Sequence, residues 1–153
     1  MLGSLDCSAG RGAGRDGFHL SVPATAGAVA GALEQVETRL GHMCIGPDMR
    51  GDVAIALGEV LNNVAKHACA GLAGARVTLR GGLTGQELWV EICDPGRPFP
   101  GGCLPAGQAV NLSLPVDALP EGGFGWFLIR SLTSGLEYRR QNGLNRLTLR
   151  FAR

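Results

Sequence analysis

Between residues 49 and 69 the chain repeats apolar side chains at the spacing of a helix. Val53, Leu57, Val60, Leu61 and Val64 fall on one side at about 100° per residue. Glu59, Asn63 and Lys66, spaced four and three apart, line up along another side. Asn62 and His67 flank that row. Asp48 is placed to cap the start of the helix. A segment with two such faces packs the apolar one on a core and turns the polar one toward water or a ligand.

The remaining segments supply a sheet. Phe18–Val22 reads as a strand, and Thr25 as the N-cap of a helix carrying Val29, Leu33, Val36 and Leu40 up to Gly41. Ala75–Leu79 and Glu87–Cys93 read as a hairpin separated by Gly81, Gly82 and Gly85. Prolines 95, 98, 100, 105, 115 and 120 exclude regular structure from 95 to 121. A loop that long in a small domain is often functional. A helix over roughly 123–134 follows. Leu136–Arg140 and Leu144–Phe151 then form a hairpin around Asn142-Gly143. The order predicts an α+β, two-layer sandwich: a mixed, mostly antiparallel sheet with helices on one face. Residues 1–17, rich in Gly, Ser and Arg, are expected to be a flexible tail before a single domain at 18–153.

Charge and cysteine content exclude several functions. Fourteen basic residues against thirteen acidic ones leave a net charge of +1 without a basic stripe, so no direct nucleic-acid contact is expected. Arg139 and Arg140 are adjacent in a strand and point to opposite faces. Cys7, Cys44, Cys69, Cys93 and Cys103 have no zinc spacing; the expectation is small buried hydrophobes. No apolar run reaches the roughly 18 residues of a membrane span, and no signal sequence opens the chain. A cytoplasmic protein is expected. Gly12 to Gly17 spells G-x-G-x-x-G, but a strand follows it where a dinucleotide site needs a helix.

Three constellations can carry chemistry. The first is the stripe Glu59, Asn63, Lys66, which is either a solvated helix face or a place for a metal–phosphate group. An Asn oxygen ligates hard cations, and a Glu one turn away can take a proton from a nucleophile. The second is Asp94-Pro95-Gly96-Arg97-Pro98-Phe99 at the end of an apolar strand. Its Asp either starts a turn or accepts a hydrogen bond from a base or sugar, with Gly96 giving the ligand room. The third is Gly122-Gly123-Phe124-Gly125 running into an apolar helix. It is either a linker or an anion site built on the exposed N–H groups of the helix start.

Taken together and in this order, the three resemble the boxes of the GHKL superfamily, the Bergerat-fold ATPases that include gyrase, Hsp90, histidine kinases and MutL. Glu59-x-x-x-Asn63-x-x-Lys66-His67-Ala68 is similar to the N box. Asp94-x-Gly96-x-Pro98-Phe99 is similar to the adenine-binding box, and Gly123-x-Gly125 before Phe127-Leu128-Ile129 to the second glycine box. The short length and the D-x-G-x-P-F form are similar to one branch, the anti-sigma-factor serine kinases of bacterial partner-switching systems. The resemblance covers residues 18–152. Trp126 departs from it, standing where a smaller aliphatic residue is usual.

The resemblance implies roles. Glu59 is the expected catalytic base; Asn63 holds magnesium beside ATP; Asp94 accepts the adenine amino group and Gly96 makes room for the base. Gly123, Phe124 and Gly125 bring backbone amides to the phosphates, Lys66 reaches phosphate, and Phe99 closes the adenine box. His67 is either a ligand contact or a helix-end hydrogen bond. Residues 100–121 form the ATP lid. The implied protein is an ATP-dependent serine kinase and anti-sigma factor. As a homodimer, it binds a sigma factor and phosphorylates an antagonist with a STAS domain. Two alternatives remain: a nucleotide-gated binding module with little transfer activity, and the detached ATPase half of a histidine kinase. The second lacks a helical setting for a phosphoacceptor His.

Overall fold

In each strand the side chains of one parity turn toward the same layer, and this inward set is mostly apolar. The computed structural model describes residues 17–107 and 124–152. Its strands are β1 (Gly17–Pro23), β2 (Arg76–Thr84), β3 (Glu87–Asp94), β4 (Gly135–Gln141) and β5 (Leu144–Ala152). They form one sheet in the order β1-β2-β3-β5-β4, and every pairing is antiparallel. The sheet expected to be mixed and mostly antiparallel is fully antiparallel among the described strands. Hairpins join β2 to β3 and β4 to β5, two helices return the chain from β1 to β2, and β3 and β4, which run parallel across a third helix, are kept apart by β5.

Three α-helices cover one face: α1 (Val29–His42), α2 (Pro47–Asn63) and α3 (Phe124–Leu132). Phe18, Leu20, Val77, Leu79, Leu88, Val90, Leu147 and Leu149 of the sheet are buried in one cluster with Val36, Leu40, Val53, Leu57, Val60, Leu61 and Ile129 of the helices. His19, Thr78, Arg80, Glu91, Thr148 and Arg150 occupy the alternate positions and are not buried. This is the α+β sandwich that the periodicities predict.

Several boundaries differ from the sequence reading. Thr25 makes no side-chain cap bond, and Ala26–Ala28 form a 3-10 turn before α1. Gly46 caps α2 with Pro47 in its first turn, a position where the missing N–H of proline is harmless. Asp48 sits inside that first turn, where its charge suits the helix dipole. Strand β2 runs through Gly81 and Gly82 and turns only at Gly85, whose φ of +62° suits the first position of a two-residue hairpin turn. A Cβ on Gly81 would overlap the Phe18 ring, and one on Gly82 would lie 3.0 Å from Trp89. These glycines make room for rings packed across the sheet. Asn142 (φ +53°) and Gly143 (φ +75°) form the expected tight turn between β4 and β5.

Of the expected lid, residues 100–107 are described, with a 3-10 turn at Pro100–Gly102. Residues 108–121 and the expected tail up to residue 16 lie outside the described residues, and Gly17 already belongs to β1. Cys69 and Cys93 are buried as expected, whereas Cys44 and Cys103 are exposed. Both exposed thiols sit in connections between elements, where no core is available to cover them.

Candidate functional site

The far end of α2 gathers the polar residues. After Asn63 the backbone widens into a π-helical turn, Val64–Ala68, closed by Cys69 N–H donating to Val64 O at 2.8 Å. Such single π turns interrupt the 3.6-residue spacing and are frequent at functional sites. Lys66 and His67 fall within it and are exposed. The strict alignment of Lys66 with Glu59 and Asn63 therefore ends at residue 63. Glu59 and Asn63, on regular helix, remain one turn apart and half-buried.

The loop after β3 docks on this π turn. Arg97 N–H donates to Ala68 O at 2.8 Å. Gly96 packs so closely on the Ala68 backbone that a Cβ there would overlap its carbonyl. Cys69 Sγ lies 3.8 Å from Asp94 Oδ1 as a weak donor. The first two constellations, about thirty residues apart in sequence, thus share one wall.

Asp94 is almost fully buried. Its Oδ1 accepts from Gly96 N–H at 2.8 Å and from Asn145 Nδ2 at 3.0 Å, besides the Cys69 thiol. None of these bonds goes to Oδ2. Burial raises the Asp94 carboxyl above its usual range; the bonds from Asn145, Gly96 and Cys69 and the charge of Arg140 pull it back. Burial, with the adjacent Asp94 charge, pushes the Cys69 thiol up to about 11, which keeps it protonated and a donor at neutral pH.

Asn145, Arg140 and Tyr138 were not anticipated from the sequence. Asn145 Nδ2 also donates to Arg97 O at 2.8 Å, and its Oδ1 accepts from Tyr138 Oη at 2.7 Å and Arg140 Nη1 at 2.8 Å. A signal existed. Asn145 shares the inward parity of Leu147, Leu149 and Phe151, so it is a polar residue on an apolar face. Arg139 does point away from Arg140, as expected, and pairs with Glu137.

The third constellation arrives on α3. A Cβ on Gly125 would collide with the Glu59 carboxylate, so the glycine lets the start of α3 close on α2 at Glu59. Phe124 is exposed and stacks on Phe127 with ring centroids 6.1 Å apart. Gly123 lies outside the described residues. Phe99 packs edge-on against Trp126 at 5.3 Å and Tyr138 at 4.9 Å. Trp126 is buried, so the bulk at that position is absorbed by the Phe99 contact. Arg130 of α3 donates through Nε and Nη2 to Pro105 O at 3.0 and 2.8 Å, tying the first part of the expected lid to the helix.

The donor set suits one kind of metal. No group of three His, Cys, Asp or Glu among the described residues could hold an ion. Asn63 Nδ2 is buried without a hydrogen-bond partner, so no bond through that nitrogen ties the amide to the protein. A single amide oxygen fits magnesium, which keeps several waters and takes further oxygens from phosphates. No helix among the described residues is long and apolar enough to cross a membrane.

Comparison with known proteins agrees with this geometry. Residues 22–151 match the family model of the histidine kinase-like ATPase domain. Serine-protein kinase RsbW of Bacillus mycoides (strain KBAB4) is 26% identical over 135 residues, covering 88% of this chain and 84% of the relative. The protein of the same name from Bacillus cereus (strain B4264) is 28% identical over 101 residues; the match spans 65% of this chain and 62% of the relative. A crystal structure of the RsbU and RsbW domains of a Mycobacterium tuberculosis protein superposes with a TM-score of 0.58 over 89% of this chain and 32% of that one. At 18% identity it speaks to the fold.

Proposed function

This chain belongs to the histidine kinase-like ATPase domain family, and from that premise we propose that it is an ATP-dependent serine protein kinase and anti-sigma factor. In this reading it sequesters a sigma factor and phosphorylates a serine on a STAS-domain antagonist. It works in the bacterial cytoplasm as a homodimer. One observation carries the reading: the loop that follows the buried Asp94 docks on the π turn at the far end of α2, while Gly125 of α3 lies against Glu59 of α2. This arrangement supports a reading in which base recognition and phosphoryl transfer share a single helix. The likeness to two proteins named as serine-protein kinases supports it.

Each residue has a role in this reading. Asp94 Oδ2 accepts the adenine amino group, and Gly96 keeps the loop close to Ala68 so that the base has room. Backbone N–H groups at Gly123, Phe124 and Gly125 meet the phosphates. Lys66, whose side chain has no described partner, adds a positive charge there; His67 lies beside it. Phe99 holds the adenine loop against Trp126 and Tyr138. Asn63 would hold magnesium, which when bound neutralises charge on the phosphates. Glu59 takes the proton from the serine hydroxyl as its oxygen bonds to the terminal phosphorus. The bond from that phosphorus to the bridging oxygen breaks, and ADP leaves.

The test is calorimetric titration of ATP and ADP with and without magnesium, followed by transfer of labelled phosphate to STAS-domain proteins. Magnesium-dependent binding that weakens in Asn63→Ala is expected. Glu59→Gln should bind ATP normally and lose about 10²–10⁴-fold in transfer. An unchanged rate removes Glu59 from its role. Binding without transfer by the unaltered protein reduces the function to nucleotide-gated sequestration, and no binding ends the kinase reading.

A further inference from the structure

Asp94, Asn145 and Arg140 stand in one row across three neighbouring strands: Asp94 pairs with Asn145 between β3 and β5, and Asn145 with Arg140 between β5 and β4. Parity turns all three toward the helical layer. Arg140 Nη1 reaches Asn145 Oδ1 at 2.8 Å and Gly96 O at 2.9 Å. The guanidinium therefore touches both supports of Asp94: the side chain that donates to it and the loop backbone that follows it.

An asparagine amide has an acceptor end and a donor end, and which end faces Asp94 decides what the pocket offers. With two donors, Arg140 and Tyr138, on its oxygen, Asn145 must present its nitrogen to Asp94 Oδ1 and Arg97 O. Flipped, its oxygen would face a carboxylate and a carbonyl, and its NH₂ would face a guanidinium. Held as it is, Asn145 joins Gly96 N–H and the Cys69 thiol in loading Oδ1. Every bond that the described residues make to Asp94 goes to Oδ1, which leaves Oδ2 as the oxygen for a ligand.

We propose that Arg140 is a positioning residue for base recognition. Acting through Asn145 and the Gly96 carbonyl, it holds Asp94 so that Oδ2 selects a purine carrying an amino donor at position 6. A 6-oxo purine would set carbonyl oxygen against carboxylate oxygen, and an unsubstituted purine would leave the acceptor unmet. The proposal rests on the ATP-binding reading above and adds a residue on a different strand, at the sheet edge, to the specificity of that site.

The experiment compares affinities for ATP and for purine riboside triphosphate, which differs only in lacking the 6-amino group. The unaltered protein, Arg140→Ala and Arg140→Lys are measured, with thermal unfolding recorded for each. The unaltered protein should prefer ATP. In Arg140→Ala that preference should shrink about tenfold or more, while affinity for the analogue changes little. Arg140→Lys, which keeps one charged donor, should recover part of it. Equal losses for both nucleotides in Arg140→Ala mean a structural role only and overturn the proposal, as does undiminished preference. An unaltered protein that binds both nucleotides equally overturns the Asp94 assignment and the proposal with it; one that binds neither refutes the ATP reading itself.

Discussion

Asp94 and Asn145 face each other in register on β3 and β5, joined by a 3.0 Å bond from the amide nitrogen to Oδ1. Both side chains are almost fully buried. Removing a donor from a buried carboxylate costs about 1.5–3 kcal/mol. Asn145→Ala is accordingly predicted to lower the unfolding free energy obtained from urea denaturation by an amount in that range and to weaken ATP binding. Loss of stability with undiminished ATP affinity would separate the network from base recognition.

Glu59 and Gly125 give a prediction in which stability and activity part company. The added methyl of Gly125→Ala meets the carboxylate end of Glu59, a flexible group that can swing aside. Within a helix, alanine also gains up to about 1 kcal/mol over glycine. The variant should melt no lower than the unaltered protein yet transfer phosphate at least about tenfold more slowly, because Glu59 has left its place. Transfer at the original rate would show that the position of Glu59 against α3 does not matter.

Gly96 presents the opposite case. Its Cβ would overlap Ala68 backbone atoms, which cannot swing away, while its φ is not in the left-handed region. The cost of Gly96→Ala is therefore one of contact alone, about 1–3 kcal/mol by the measure of overpacked interiors. Chemical denaturation should show that loss, and ATP affinity should fall with it as the Arg97–Ala68 bond opens. A stable, fully binding variant would mean that the loop does not need to sit on the π turn.

The parts of the site carried by local pattern were legible in the sequence. Glu59 and Asn63 are one helical turn apart, Asp94 ends an apolar strand, and Asn142-Gly143 can hardly be other than a turn. What was missed depends on cross-strand register. Asn145 reaches Asp94 across 51 residues of chain, and Arg140 reaches Gly96 across 44; neither separation leaves a periodic trace. From sequence, Gly81 and Gly82 read as turn residues because glycine usually marks a turn. Their reason lies on neighbouring strands, in the rings of Phe18 and Trp89. The π turn was illegible because nothing in Val64–Ala68 breaks an α-helical pattern, and it is there that Lys66 leaves the expected stripe.

The raised pKa of Asp94 sets the last prediction. Burial is the main cause, so the folded protein takes up this proton at a higher pH than an unfolded chain does. The sign for stability follows: the charged carboxylate costs stability above its folded value, and that cost is relieved as pH falls toward the ordinary Asp range. The sign for binding is the reverse, because a protonated carboxyl no longer offers a charged acceptor to the adenine amino group. The ratio of ATP affinity to that of purine riboside triphosphate cancels titration of the phosphates common to both. As pH falls through the range in which Asp94 protonates, this ratio should decline, and in Asp94→Asn it should be low and flat. A ratio independent of pH in the unaltered protein, or one that declines equally in Asp94→Asn, would take the carboxylate out of base recognition.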